Sequence, residues 1–588
     1  MIKIMKKMNR WEVSLLLCNA MLVLAQVWMD MRIPDYMSTI TRLVETEGSD
    51  MNEIWIAGFK MLACAIASMF ITFGSGFVSS YFAATFSKNL RSKIFDKVQS
   101  FSLEEIDRFS TASLITRSTL DVQMMQMFMT RGISMIIRSP ISVGIALFKI
   151  KGKQWEWSAL TGGAVFCVIL AVIYVIKYAH PRFRRMQFLH DDMNRVMRDN
   201  MTGIRVVRAY NAEEYQEGKF YDANDRLTQN GLEAMHAMGI MHPTMRFTNN
   251  GLTVGIYFLG ALIINRSAVY AERLTVFSDM VVFANYASRI LFAFMSLNMI
   301  FNTIPRASVC AERINEILET DATILDGKET EGVEGKEGEI EFRNVCFRYP
   351  GTEGDVLTDI SFTAKKGETV AFIGATGSGK TTLVNLIPRL YDCTEGEVIV
   401  AGRNVKEYTQ KSLRNMIGYA TQQAVLFTGT VSSNVSYGEG KPIEGRDEEN
   451  DIKAAVAIAQ ATDFVEEMEG GYDADINRGG TNVSGGQKQR LSVARAVYRK
   501  PDIYIFDDTF SALDYKTDRA LRNRLKKETA DVTTLIVAQR VGTIRDADKI
   551  LVLDGGKIVG MGTHEQLLKD CEVYKEIART QLSEEELA

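Results

Sequence analysis

The stretch TVAFIGATGSGKTT, residues 369–382, runs an apolar strand pattern into a glycine-rich turn that ends in a lysine and two threonines. Gly374 to Thr381 fit the spacing GxxxxGK[ST], with a strand before the turn and a helix expected after it. Glycines let successive backbone N–H groups turn toward one point, and the start of a helix adds partial positive charge there, which together suit phosphate. Gly374, Thr376, Gly377, Ser378, Gly379, Lys380, Thr381 and Thr382 are therefore expected to surround the phosphates of ATP. Lys380 is assigned to the β- and γ-phosphates and Thr381 to Mg²⁺. A plain glycine turn before a helix is the competing reading, and it gives no reason for Lys380 and Thr381. The soluble part of the chain reads on this basis as an α/β P-loop domain.

Upstream, the texture changes. A chain of 588 residues is too long for one ordinary core, and its first half is apolar and methionine-rich where its second is charged and punctuated by glycine. Six runs approach the ~20 apolar residues that cross a bilayer: 11–28, 54–82, 132–148, 157–176, 250–264 and a more polar sixth, 281–301. Lys and Arg gather before the first, after the second and after the fourth, which places both termini and the soluble domain in the cytoplasm of a multi-pass cell-membrane protein. One loop, Lys149, Lys151 and Lys153 between spans three and four, breaks the rule. The first run is read as an anchor, not a cleaved signal. Seven scattered cysteines without a CxxC pair point to reduced thiols, and a net charge of -4 gives no support to nucleic-acid binding.

About 50 residues separate spans two and three and about 70 separate four and five, with helical periodicity throughout, so spans two to five are expected to continue as helices into the cytoplasm. The division expected is 1–318 for the membrane domain, an exposed acidic linker at 319–338, and 339–588 for the soluble domain.

Beyond the phosphate loop, NVSGGQKQR (482–490) precedes the strand IYIFDD (503–508). In that order the motifs resemble the ATP-binding cassette proteins, and over the whole chain a half-transporter of the ABC exporter superfamily. The resemblance implies roles for further residues. Tyr349 matches the aromatic that stacks on adenine, Gln422 the glutamine that senses Mg²⁺ and γ-phosphate, and Asp507 the acid that holds Mg²⁺ through water. Ser484, Gly485, Gly486 and Gln487 match the signature that faces the partner's ATP, and Asp514 the loop that crosses to the partner. SLEEIDRF and TGIRVVRAYNAEE match the segments that couple membrane and ATPase domains, the second docking on the partner.

Two catalytic positions depart from the family together. Asp508 stands where a glutamate polarises the attacking water, and Gln539 where a histidine contacts the γ-phosphate. Aspartate sets its carboxylate back by about 1.5 Å. A misplacement of that size costs on the order of 100-fold, or roughly 2.7 kcal/mol of barrier, and glutamine cannot carry histidine's charge. Arg478 replaces a third family residue, a glutamate before the signature. Binding without fast hydrolysis, beside an intact signature, matches the degenerate-site subunit of a heterodimeric bacterial multidrug-type exporter. Its partner half-transporter would carry the competent site. The alternatives are an ABC protein in which ATP binding is regulatory, and a slow homodimeric exporter of peptides or lipids. The substrate expected is a small amphipathic, drug-like or lipid-like molecule, with Lys60, Arg138, Asp279 and Arg289 as candidate cavity residues because charge inside a bilayer is costly.

Overall fold

The computed structural model describes residues 2–46, 49–266, 269–438, 447–528 and 531–582. The chain divides into two units, Met1–Gln99 with Thr111–Thr320, and Ser100–Ser110 with Asp321–Ala588.

In the first unit six helical stretches carry spans long and apolar enough to cross a membrane: Arg10–Glu45, Met51–Gln99, Thr111–Ile150, Trp155–Thr202, Glu213–Arg266 and Glu272–Phe294. At 1.5 Å per residue, the 49-residue helix Met51–Gln99 reaches far beyond a hydrocarbon core of about 30 Å. Its polarity is turned inward. Ser68, Ser75 and Ser79 are buried, whereas Phe70, Phe73 and Phe77 are exposed. Ser68 donates to Asp30 at 2.5 Å, Ser75 to Asn19 at 2.9 Å and Ser79 to the carbonyl of Thr130 at 2.8 Å. Small residues at helix contacts and large apolar ones outside are what a hydrocarbon solvent selects.

The sixth span reads as polar because its neighbours, more than lipid, surround it. Phe283, Tyr286, Ile290 and Leu291 are buried in a core with Trp157 and Ile256, and Tyr286 donates to Asp35 and to the carbonyl of Met31, both at 2.9 Å. The helix that holds it, Tyr270–Glu319, extends as far as spans two to five do, which the sequence reading had not assigned to it.

The lysines between spans three and four have a physical account. Lys149 pairs with Asp35 at 2.6 Å and Lys153 with Asp279 at 2.5 Å. Two of the three charges that broke the positive-inside pattern are thus neutralised by acids on the first and sixth spans. Of the four candidate cavity charges, Asp279 is held in that pair and Arg138 lies 3.2 Å from Asp30, while Lys60 is exposed and Arg289 half-buried.

The second unit is built on a six-stranded sheet in the order Lys557–Gly562, Lys549–Asp554, Thr369–Gly374, Thr533–Val537, Ile503–Asp507, Ile417–Ala420, parallel except at the first strand. All five residues of Ile503–Asp507 and of Thr533–Val537 are buried, as expected of parallel strands covered on both faces. Their alternation divides two cores: Ile503, Ile505, Leu535 and Val537 enter one, and Tyr504, Phe506 and Ile536 the other. A four-stranded antiparallel sheet, Leu357–Ala364, Ile340–Phe347, Glu395–Val400, Arg403–Asn404, lies in the same unit.

The acidic stretch read as an exposed linker is also tied to the domain by backbone hydrogen bonds. Most of its side chains face solvent, but Gly327 N–H donates to Tyr408 O at 2.9 Å, Lys328 N–H to Glu407 O at 2.8 Å and Val333 N–H to Ala401 O at 2.8 Å. A Cβ at Gly327 would sit 2.0 Å from Glu407 O, so glycine there serves close approach of two backbones, not flexibility.

Helix Leu103–Phe109 belongs to this unit as well. Buried Glu105 caps its start, accepting from Ser102 N–H at 2.7 Å, and accepts Thr323 N–H at 2.9 Å; Tyr391 donates to Asp107 at 3.1 Å. Burial works against the Glu105 charge, yet the hydrogen bonds from Ser102 and Thr323 outweigh it and hold the carboxyl below its ordinary value. A carboxyl depressed on folding adds stability above its unfolded pKa, and that stability is lost as pH falls through the folded value. Glu105→Ala removes a cap and strands the Thr323 N–H, a cost of about 2–4 kcal/mol. Amide exchange over residues 103–109 is expected to accelerate in the variant, and in the parent chain as acid protonates the carboxyl. Unchanged protection would show that the helix is held without Glu105.

Candidate nucleotide site

Four parallel strands deliver the site. Gly374, Asp507, Gln422 and Gln539 lie at or just beyond the carboxyl ends of strands Thr369–Gly374, Ile503–Asp507, Ile417–Ala420 and Thr533–Val537. That edge is where open α/β sheets bind ligands.

The phosphate loop has the conformation its glycines allow. Gly379 sits at φ 94° at the start of helix Lys380–Asn385, and a Cβ there would lie 2.7 Å from Leu357. Lys380 is buried, with its ammonium donating to the carbonyls of Gly374 (2.9 Å) and Ala375 (2.8 Å) and to Ser378 Oγ (3.2 Å). Burial lowers its pKa, against the pull of Asp508 and Asp507. Ser378 and Thr382 are buried with it, while Thr376 and Gly377 are exposed at the tip of the loop.

Thr381 donates to Asp507 at 3.0 Å. Burial, then the neighbouring Asp508, raises the Asp507 carboxyl, against hydrogen bonds from Thr381 and Tyr419. Two adjacent buried acids beside one ammonium leave negative charge that a divalent cation offsets, so the donor set fits Mg²⁺. Thr381, Asp507 and Gln422 are the groups that would hold it, and the ion would neutralise phosphate charge. Tyr349 packs edge-on against Phe347 and Tyr391 and shares a 2.9 Å hydrogen bond with Thr382, which sets its ring beside the helix that follows the phosphate loop.

The two departures meet in space. Gln539 donates to Asp508 Oδ2 at 2.7 Å, and Gln422 reaches the same oxygen at 3.4 Å. Asp508 also stands at φ 47°, a left-handed conformation that aspartate tolerates better than most residues. Its N–H donates to Val537 O at 2.9 Å, and Ser511 Oγ donates to its carbonyl at 2.8 Å. The shorter acid is therefore locked from both its backbone and its side chain.

The signature lies on the surface. Ser484 is exposed and starts helix Gly485–Tyr498, exchanging cap bonds with Gln487 at 2.8 and 3.3 Å. A Cβ at Gly486 would lie 3.2 Å from Ala512 O, so the signature and the loop before Asp514 are neighbours. Asp514 accepts Thr517 N–H at 3.0 Å and opens helix Tyr515–Glu528. Among the described residues, no hydrogen bond joins Ser484–Gln487 to the phosphate loop. Arg478 is exposed in a short turn before the signature.

Two residues escaped the sequence reading. Tyr419 donates to Asp507 at 3.4 Å and to Asn385 at 2.8 Å; its place in IGYATQQ, three residues before Gln422, was the available signal. Gln489 donates to the carbonyl of Gln422 at 2.6 Å and so ties the signature helix to that glutamine's backbone, a contact no spacing rule encodes.

Known proteins resemble this chain over most of its length. The family model of the ABC transporter transmembrane region matches residues 13–293, and the ABC transporter model matches residues 357–511. The chain is 38% identical to an uncharacterized ABC transporter ATP-binding protein of Mycobacterium tuberculosis, over 93% of each chain. It is 31% identical to an ATP-dependent lipid A-core flippase of Aromatoleum aromaticum, over 87% of this chain and 83% of that one. A bacterial Atm1-family ABC exporter solved with ATP bound superposes with a TM-score of 0.75 at 22% identity, covering 98% of this chain and 100% of that chain, a likeness of fold.

Proposed function

The chain belongs to the ABC transporter family, with an exporter's membrane region fused to one ATPase domain, and from that premise we propose that it is the ATP-holding, slowly hydrolysing subunit of an asymmetric exporter. One observation carries the proposal: the 2.7 Å hydrogen bond from Gln539 to Asp508. A carboxylate that already accepts a fixed amide is a poorer acceptor for a water proton, and the amide that holds it is withdrawn from phosphate. Lys380, Thr381 and Asp507 keep the means to bind Mg-ATP. The exposed signature, Ser484 to Gln487, then completes a competent site on a partner half-transporter whose own catalytic pair is glutamate and histidine.

In this reading the ATPase domain is cytoplasmic and the membrane unit moves an amphipathic, drug-like or lipid-like substrate outward. ATP binding draws the two ATPase domains together, and hydrolysis at the partner's site separates them. The intact signature also supports a second reading, a homodimer with two slow sites. Intact mass of the assembly, extracted from its native membrane in mild detergent, separates the two. A complex with a different half-transporter, whose sequence shows the glutamate and histidine, is the expected result; a dimer of identical chains rejects the asymmetric model.

A further inference from the structure

We propose that the crevice between the third, fourth and sixth spans is a binding site for an anionic phospholipid, with one acyl chain in the crevice and the headgroup phosphate on Lys151. The cavity holds about 370 Å³, within the usual ~300–1,000 Å³ of ligand sites. Leu147 and Ile150 line it from the third span, Gly162 and Val165 from the fourth and Phe294 from the sixth, with Lys151 from the turn after the third span.

The outward faces beside the crevice are apolar and suit lipid. Leu147, Phe148 and Phe166 are exposed on the third and fourth spans, and the fourth span has a mean hydropathy of 2.5. In such a solvent an apolar wall gains little by meeting an apolar guest, since lipid tails are as apolar as leucine. Selection must come from shape and charge.

Shape is supplied by Gly162. Beyond its own helix backbone and chain neighbours, no atom lies within 4 Å of where its Cβ would be, so its missing side chain leaves part of the crevice open. The hydroxyl of Thr161, which also lines the cavity, is spent on the carbonyl of Trp157 at 2.8 Å. Charge is supplied in the turn. Of the three lysines in the turn, Lys149 and Lys153 are occupied by Asp35 and Asp279. Lys151 is exposed and lines the cavity, and its ammonium makes no ion pair or hydrogen bond among the described residues. A neutral amphiphile would leave that ammonium unanswered, whereas an acyl chain ending in a phosphate answers both features.

The test uses the full-length chain in the assembly in which it is purified, titrated with phosphatidylglycerol or phosphatidylcholine and read by native mass spectrometry. A phosphatidylglycerol with a photoreactive acyl chain maps the site. Neither readout depends on the transport reaction or on which side the turn faces. Preferential phosphatidylglycerol binding, with cross-links in residues 143–165, is expected. Lys151→Gln should lower that preference by about fivefold, the usual share of one lysine near anionic lipid. Gly162→Leu, which fills the crevice, should remove the cross-links while the melting temperature stays near that of the parent. Equal binding of the two lipids, cross-links unmoved by both variants, or cross-links showing a second protein chain in the crevice would each overturn the proposal.

Discussion

Replacing both departed positions, Asp508→Glu with Gln539→His, is expected to raise single-turnover ATP hydrolysis at this site by about 100-fold, while Asp508→Glu alone raises it less than about tenfold. The estimate rests on general-base catalysis, typically about 10²–10⁴-fold when the base is in reach of its proton. Lengthening the acid alone does not free it, because Gln539, now 2.7 Å from Asp508, remains beside the longer carboxylate as a donor. The single variant also places glutamate at φ 47°, where aspartate is the better tolerated residue, so a slightly lower melting temperature should accompany it. The measurement is hydrolysis of a stoichiometric amount of ATP in an assembly whose other site has been inactivated. Full recovery in the single variant would show that the glutamine is a bystander. No recovery in the double variant would place the slowness elsewhere than in this pair.

The strand, turn and helix around Gly374–Thr381 and the first five spans were legible because their signals are local. The phosphate loop needs eight consecutive residues, and the first five spans declare themselves by run length. What stayed hidden depends on partners distant in sequence. The Gln539 bond to Asp508 follows from the parallel pairing of Ile503–Asp507 with Thr533–Val537, which brings two residues 31 positions apart to one edge. The lysines after span three looked misplaced until Asp35 and Asp279, each more than 100 residues away, were seen beside them. The acidic stretch at 319–338 has a linker's composition, but composition does not show that Gly327 lies against the backbone of Glu407. The sixth span hides for a related reason. Residues buried among helices are freed from the uniform hydropathy that lipid demands, so Ser278 and Tyr286 are retained where they bond the first span.

Lys380→Ala is expected to weaken ATP binding to this chain by about 10²–10³-fold, yet to lower turnover of the assembly by less than about tenfold. The ammonium donates two bonds of 2.8–2.9 Å to the loop's own carbonyls. Phosphate oxygens would replace those carbonyls, and hydrogen bonds to charged groups contribute roughly 1.5–3 kcal/mol each. The modest loss in turnover follows from the proposed asymmetry, under which ATP held at this loop is hydrolysed slowly. Ser484→Ala supplies the opposite case. It leaves this chain's phosphate loop untouched and costs the signature helix about 1 kcal/mol of capping. In the proposed assembly it also removes a hydroxyl offered to ATP on the partner, so turnover should fall by about 10–100-fold while nucleotide binding to this chain is preserved. Photolabelling with an azido-ATP reports binding to each chain, and phosphate release reports turnover. If Lys380→Ala abolishes turnover as completely as a lesion in the partner's phosphate loop, the two sites are equivalent and the asymmetric assignment fails. If Ser484→Ala leaves turnover unchanged, the exposed signature serves no competent site, and binding without hydrolysis becomes the function of this chain.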